Sequence, residues 1–469
     1  MKLFQDRYFY KWFFILAIPI ALQNLLNSTL NTMDTIMIGQ LGDASIAAVG
    51  LANQFFFVLS LIFFGICSGS SVFVAQFWGK GDELSIRKSL GINITLNLIP
   101  AVLFTLVGLA APHAIMNLIS GDPVVIEQGS SYLRVVALSY IPNSISLAIA
   151  ASLRSVERTR VPLAMSFLSL FINCGINYVL IFGKFGFPQL GVTGAAIGTV
   201  AARVVESVIL IWILYGRYRS LAPRVHDFFR VGKDFFRRFM KTVTPVILNE
   251  SIWGVGVALF SVIYSYMGTN IIASVNIAKI VEQMLSVFFF GMGYASGVMI
   301  GKTIGEGDEK KAYLYARRFD YLSFGVGLVF CLITIAIAPF FVSFFNVSQE
   351  AAADATAIIM IIGAFMPFKN YNLTHIVGTM RSGGDTKICL LLDSLGIWAI
   401  ALPLTFFSGL ILHWDIRIVY ALSLAEEFVK AAFVMPRIRS GKMCIRDRYS
   451  TATGATCFPP DIRWHTRFA

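Results

Sequence analysis

Charge is what this 469-residue chain has least of: Asp, Glu, Lys and Arg together make up 14% of it, while 57% is hydrophobic. A soluble domain carries about 25% charged residues, so a water-soluble globular protein is excluded. Histidine is scarce too, with five scattered copies, no HExxH and no Ser/His/Asp grouping. A polytopic membrane enzyme would need such a cluster at one interface, so that reading ranks last and no enzyme is expected. Cysteine is sparse, and Cys67, Cys174, Cys331 and Cys389 all sit inside apolar runs without CxxC spacing. They read as small core residues; disulfide, metal site and cofactor are all unexpected.

What the chain does have is apolar runs longer than the ~18 residues that separate a spanning helix from a core helix, such as NLIPAVLFTLVGLAAPHAIMNLI. Twelve spans are expected, at 12–38, 46–76, 89–110, 130–151, 161–182, 190–215, 242–266, 271–300, 320–345, 353–379, 388–410 and 415–435. The first follows Lys2, Arg7 and Lys11 like a signal peptide, but no small-residue cleavage site comes after it, so it is read as a retained helix. The formal net charge of +12 invites a nucleic-acid reading, yet its distribution is topological. With the N-terminus cytoplasmic, the inner segments carry 27 Lys and Arg and the outer loops only Lys184 and Arg417. The positive-inside rule then places both termini in the cytoplasm of a multi-pass cell-membrane protein, with lipid and no nucleic acid as its partner.

GKGDE at 79–83 returns as GEGDE at 305–309. The same shift of 226 positions sets Pro19 on Pro245, Gly42 on Gly268, Ala52 on Ala278, Gly65 on Gly291 and Asp82 on Asp308. A shift of 227 sets LRSVERTR at 153–160 on MRSGGDTK at 380–387. The chain is therefore two homologous halves. Six spans per half is an even number, so both enter the membrane from the same side, as parallel repeats. The expected organisation is an N-terminal lobe over 1–215, a cytoplasmic linker over 216–241 and a C-terminal lobe over 242–442. In the turns, Gly79 and Gly305 are expected to stop one helix, and Asp82 and Asp308 to cap the next. The linker's basic and Phe residues fit either a surface amphipathic helix or an ordinary basic loop. Residues 443–469 fit neither the repeat nor a span and read as a non-native end, with a cytoplasmic tail as the alternative.

An ionisable group at mid-bilayer costs at least ~2.5–3.5 kcal/mol, so each needs a partner or a task. Lys279 with Glu282, Arg203 with Glu206, and Lys430 with Glu426 and Glu427 are spaced three or four apart, and local neutralisation is the first reading. Asp34, Glu250 and Asp393 have no basic residue within four positions and are the sharper candidates. Asp393 has a second reading, in which it reaches back toward the cytoplasmic interface near Lys387. A lone His375 on an apolar face reads as structural.

The phrases IPIALQNLLNSTLNTMDTIMIGQLGDASIAAVG, NCGINYVLIFGKFGFPQLGVTGAAIGTVAARVVE, TPVILNESIWGVG and VGTMRSGGDTK resemble the MATE (multidrug and toxic compound extrusion) transporters of the MOP flippase superfamily, from about residue 10 to 442. The resemblance implies an all-α protein with twelve transmembrane helices in two six-helix lobes around a central cavity. It also implies export of organic, often cationic, compounds and lipophilic drugs against inward H⁺ or Na⁺, by a monomer that alternates its access. Within it, Asp34 matches the first-helix acid of the N-lobe cation site, with Asn31 close by on its helix. Asn173 keeps the fifth-helix Asn, whereas Asn177 stands where the family has an Asp. That change weakens a proton relay and leaves amide oxygens able to ligate Na⁺ beside Asp34, with Thr199 a further candidate. Glu250 resembles the seventh-helix acid of NorM-type members, and their tenth-helix acid falls on Asn370. Glu282, Asn370 and Asp393 are candidates for the substrate cavity. The nearest rival is a lipid-linked oligosaccharide flippase of the same superfamily, which would favour a cationic cavity.

Overall fold

The computed structural model describes residues 6–229, 232–345 and 347–441, and the 443–469 segment lies outside them. Among the described residues there is no strand, and eleven helices are long and apolar enough to cross a membrane. They are α1 (Arg7–Gly39), α2 (Asp43–Lys80), α3 (Glu83–Ala110), α4 (Pro123–Ser155), α5 (Arg160–Phe182), α6 (Gly191–Arg217), α7 (Lys233–Met267), α8 (Asn270–Gly305), α9 (Glu309–Val342), α10 (Gln349–Met380) and α11 (Thr386–Ile411). The twelfth expected span is built from two shorter pieces, α12 (Ile416–Ser423) and α13 (Ala425–Arg439), which meet at Leu424. At 8 and 15 residues, neither piece alone is long enough to cross a membrane.

The helices gather into two compact units, Ile15–Gly254 and the described residues on either side of it, with the divisions falling inside α1 and α7. In the first unit the core joins Ile38 of α1, Ala48, Leu59 and Phe63 of α2, Leu133 and Ala137 of α4, and Ala195 of α6. In the second it joins Tyr264, Ala278, Phe289, Ile359, Met366 and Tyr420. Many large apolar side chains face outward, among them Phe171 (71% exposed) and Trp212 (74%). In water such a surface would aggregate; against acyl chains it is the expected exterior.

The repeated turns are built alike. Gly81, at φ 70°, follows α2, and Gly307, at φ 83°, follows α8. Each donates its N–H three residues back, to Trp78 and Ile304, and the next residue donates five back, to Phe77 and Thr303. Glycine is favoured in that left-handed position because a Cβ would clash. The stop thus belongs to Gly81 and Gly307 rather than to the expected Gly79 and Gly305, which still have helical backbone. Asp82 and Asp308 cap the following helices through the N–H groups of Ser85 and Lys311, both at 3.0 Å.

Between α6 and α7, Val225–Phe229 forms a short helix. Leu221 and Ala222 are buried beside α3 and α6 side chains, and Asp227 sits 3.7 Å from Arg87. The linker's later residues form the start of α7, where Phe235 and Phe239 stack on Phe77 and Phe73 of α2. Those rings therefore face protein. At the start of the second unit, Asp6 accepts from the N–H groups of Tyr8 and Phe9 and from Arg318 Nη1 at 2.6 Å, capping α1 and tying it to α9.

Candidate functional site

Three helices of the first unit bring polar groups together. Asn173 and Asn177 lie four residues apart on α5 and so share a face. Across from them α6 carries Gly194 and Gly198, again four apart, in GAAIGT. A Cβ on Gly194 would come within 2.7 Å of the Leu180 carbonyl carbon, so the two backbones approach as only small residues allow. That closeness sets Thr199 against the α5 asparagines, and α1 adds Asp34.

The hydrogen bonds run in a chain. Asn177 Nδ2 donates to Asp34 Oδ1 at 2.6 Å and to Asn173 Oδ1 at 3.1 Å. Asn173 Nδ2 donates to Thr199 Oγ1 at 3.3 Å, whose hydroxyl donates to the Ala195 carbonyl at 3.1 Å. Both asparagines are fully buried, and Asn177 Oδ1 has no hydrogen-bond partner. A buried acceptor left unpaired costs about 1–3 kcal/mol. The site thus holds a carboxylate with an orphan amide oxygen beside it, an oxygen-rich donor set suited to a hard cation or a proton. Asn31 is not part of it: the residue is exposed, and its backbone carbonyl accepts from Thr35.

Elsewhere the local spacing succeeds in part. Arg203 pairs with Glu206 at 2.7 Å, and Lys430 with Glu426 at 3.1 Å. Lys279 departs from it: its ammonium donates to Ser261 Oγ at 2.8 Å, while Glu282 pairs with Lys369 of α10. Three-residue spacing puts two groups on one face without excluding a closer partner on a neighbouring helix. Asp393, isolated in sequence, lies 3.4 Å from Lys430 of α13 rather than reaching toward Lys387. Asn372 Nδ2 donates to Glu427 Oε2 at 2.8 Å. Glu250 is buried on the part of α7 that belongs to the first unit. Asn370 is fully buried, donating to the Ser323 carbonyl at 2.6 Å. Lys369 pairs with Glu282, 87 positions away, and Asp320 meets His375, 55 positions away, on other helices that sequence spacing does not reveal.

The MatE family profile matches residues 19–179 and again 245–407, once in each half. The chain is 25% identical to the uncharacterized transporter YisQ of Bacillus subtilis, over 91% of this chain and 93% of that one. It is 29% identical to the probable multidrug resistance protein NorM of Rhizobium meliloti, over 84% of each. Among solved structures, one described as MATE in complex with MaL6 aligns with a TM-score of 0.82 at 20% identity, over 92% of this chain and 97% of that one. A MOP superfamily transporter from Pyrococcus furiosus, whose binding pocket is described as of reverse polarity, aligns with the same TM-score and identity, over 92% and 96%. Two profile matches that begin 226 residues apart, on Pro19 and Pro245, retrace the internal repeat. The chain belongs to the MatE family of membrane transporters.

Proposed function

We propose that this protein is an ion-coupled antiporter that exports organic cations and drug-like amphiphiles, with Asp34, Asn173, Asn177 and Thr199 as its coupling-ion site. The observation that carries the reading is the buried, unpartnered Asn177 Oδ1 beside the Asp34 carboxylate. With the Asn177 amide turned over, so that its oxygen instead of its Nδ2 faces Asp34, a Na⁺ ion shared by those oxygens satisfies both. A proton on Asp34 removes the charge and, with the amide turned over, donates to the same oxygen. Names of relatives such as the multidrug resistance protein NorM support drug export. Shared fold does not select the cargo, since the reverse-polarity transporter aligns equally well. Cationic cargo is supported by two acids of the first unit, Asp34 and buried Glu250. Exchange becomes directional when ion and cargo favour different states of the two lobes. The positive-inside pattern supports cytoplasmic ends for both termini.

The test is ethidium efflux from proteoliposomes under separately imposed Na⁺ and H⁺ gradients. Asp34→Asn and Glu250→Gln should abolish gradient-driven efflux while membrane expression stays intact. Unchanged efflux in both variants overturns the coupling assignment, and lipid scrambling without cation export would favour a flippase.

A further inference from the structure

A second ionisable cluster lies in the other unit. Asp320 of α9 and Tyr371 and His375 of α10 are 7%, 2% and 0% exposed. The Tyr371 hydroxyl donates to Asp320 Oδ1 at 2.8 Å, and His375 Nε2, which makes no hydrogen bond, lies 3.2 Å from the same oxygen. His375 Nδ1 lies 3.2 Å from Thr379 Oγ1. Asp320 Oδ2 has no hydrogen-bond partner and faces Arg317 Nη1 at 3.9 Å. His375 and Thr379 sit in a π-helical stretch, Thr374–Met380, a local irregularity frequent at functional sites.

The matching places of the other half carry no such groups. The shift of 226 sets Asp320 opposite Ile94, and the shift of 227 that matches Arg381 with Arg154 sets His375 opposite Ala148. Ile94 and Ala148 are both buried and belong to one apolar cluster of the first unit. The same place in the repeat is thus an apolar contact in one half and an ionisable one in the other. A buried carboxylate is costly and persists where it has a task.

We propose that Asp320, Tyr371 and His375 form a proton-binding site of their own, separate from the Asp34 site and independent of the function read there. The added proton goes to the imidazole and no other bond breaks. Nε2–H then faces Asp320, and Nδ1–H faces Thr379 Oγ1, whose hydroxyl turns from donor to acceptor. Without that proton the pocket holds a carboxylate beside a neutral ring; with it, an ion pair ties α9 to α10. Proton occupancy therefore favours one arrangement of these two helices. Of the charged groups on the elements packed around the site, Arg318 pairs with Asp6, Lys369 with Glu282, Lys430 with Asp393 and Glu426, Arg437 with Asp385 and Glu306 with Lys311, while buried Arg381 directly follows the π-helical stretch and Lys302 lies on α8. Arg317, three residues before Asp320 on α9, is the cation that faces its carboxylate, at 3.9 Å.

The experiment is a pH titration of the full chain in detergent with ¹³C-ring-labelled histidine, which needs neither substrate nor turnover. The signal lost in His375→Gln should move with pH in a single protonation step, and Asp320→Asn should displace that step. A His375 signal that ignores pH, or a step that Asp320→Asn leaves in place, overturns the proposal. The double variant Asp320→Ile with His375→Ala copies the residues of the first half and should fold. Its ethidium efflux should lose one protonation step from the wild-type pH profile; an unchanged profile overturns the proposal as well. Asp34→Asn should leave the His375 signal titrating, so failure of the coupling assignment and failure of this site give different results.

Discussion

Replacing Gly198 by alanine puts a methyl group onto Asn177 Oδ1 and within 3.0 Å of its Cγ, while the nearest backbone atom, the Asn177 nitrogen, stays at 3.4 Å. The amide must swing aside, and it is the amide that donates to Asp34 and to Asn173. The bond to Asp34 joins two membrane helices, where such bonds are worth about 0.6–1.7 kcal/mol, and the bond to Asn173 lies within α5, so losing both costs the assembled site about 1–3 kcal/mol. At 1.4 kcal/mol per tenfold, cation affinity should fall roughly fivefold to a hundredfold. Helix stability moves the other way, since alanine is favoured over glycine by about 0.8–1 kcal/mol in a helix interior. The two terms leave a net stability loss of about 0–2 kcal/mol, so the expected signature is a loss of ion affinity in ethidium efflux that exceeds the fall in stability. Gly198→Ala with wild-type ion affinity would refute the placement of Asn177 in the site. A parallel drop in stability and affinity would point to packing instead.

Lys369→Met should strand Glu282 and destabilise the protein by about 3 kcal/mol, with the added Glu282→Leu restoring most of it; a thermal-shift assay of single and double variants checks this. For Asp6, burial pushes the carboxyl upward, but the Arg318 hydrogen bond, the N–H groups of Phe9 and Tyr8 and the Arg318 charge outweigh it and hold it below the usual aspartate range. A depressed folded value means a stabilising contribution that is present above the ordinary value of 3.8 and lost as pH falls through the lower folded value. Asp6→Asn should erase that acid limb of the stability curve, read by thermal unfolding against pH, while still capping α1. Phe239→Ala, which removes a fully buried ring stacked on Phe73, should cost about 3–5 kcal/mol by the same assay.

Much of this architecture is legible in one dimension. Apolar runs declare the spanning helices because a bilayer leaves no other way to satisfy the backbone. Asp82 and Asp308 announce their caps, and the four-residue spacing of Asn173 and Asn177 announces a shared face. The stop glycines were off by two positions, because Gly79 and Gly81 are equivalent in composition and only the backbone angle separates them. The twelfth span is broken in two at Leu424, inside an apolar run that gives no sign of a break.

Sequence by itself determined that this is a membrane chain, that it is one half written twice, and that Asp34 stands out among its acids. Tertiary structure alone decided the other partners: Glu282 with Lys369 rather than Lys279, Asp393 with Lys430, and Asp320 with Tyr371 and His375. The physical reason is one of range. Helical spacing reports only neighbours on the same helix, whereas a low-dielectric interior compels every polar group to find a partner without saying on which helix it lies.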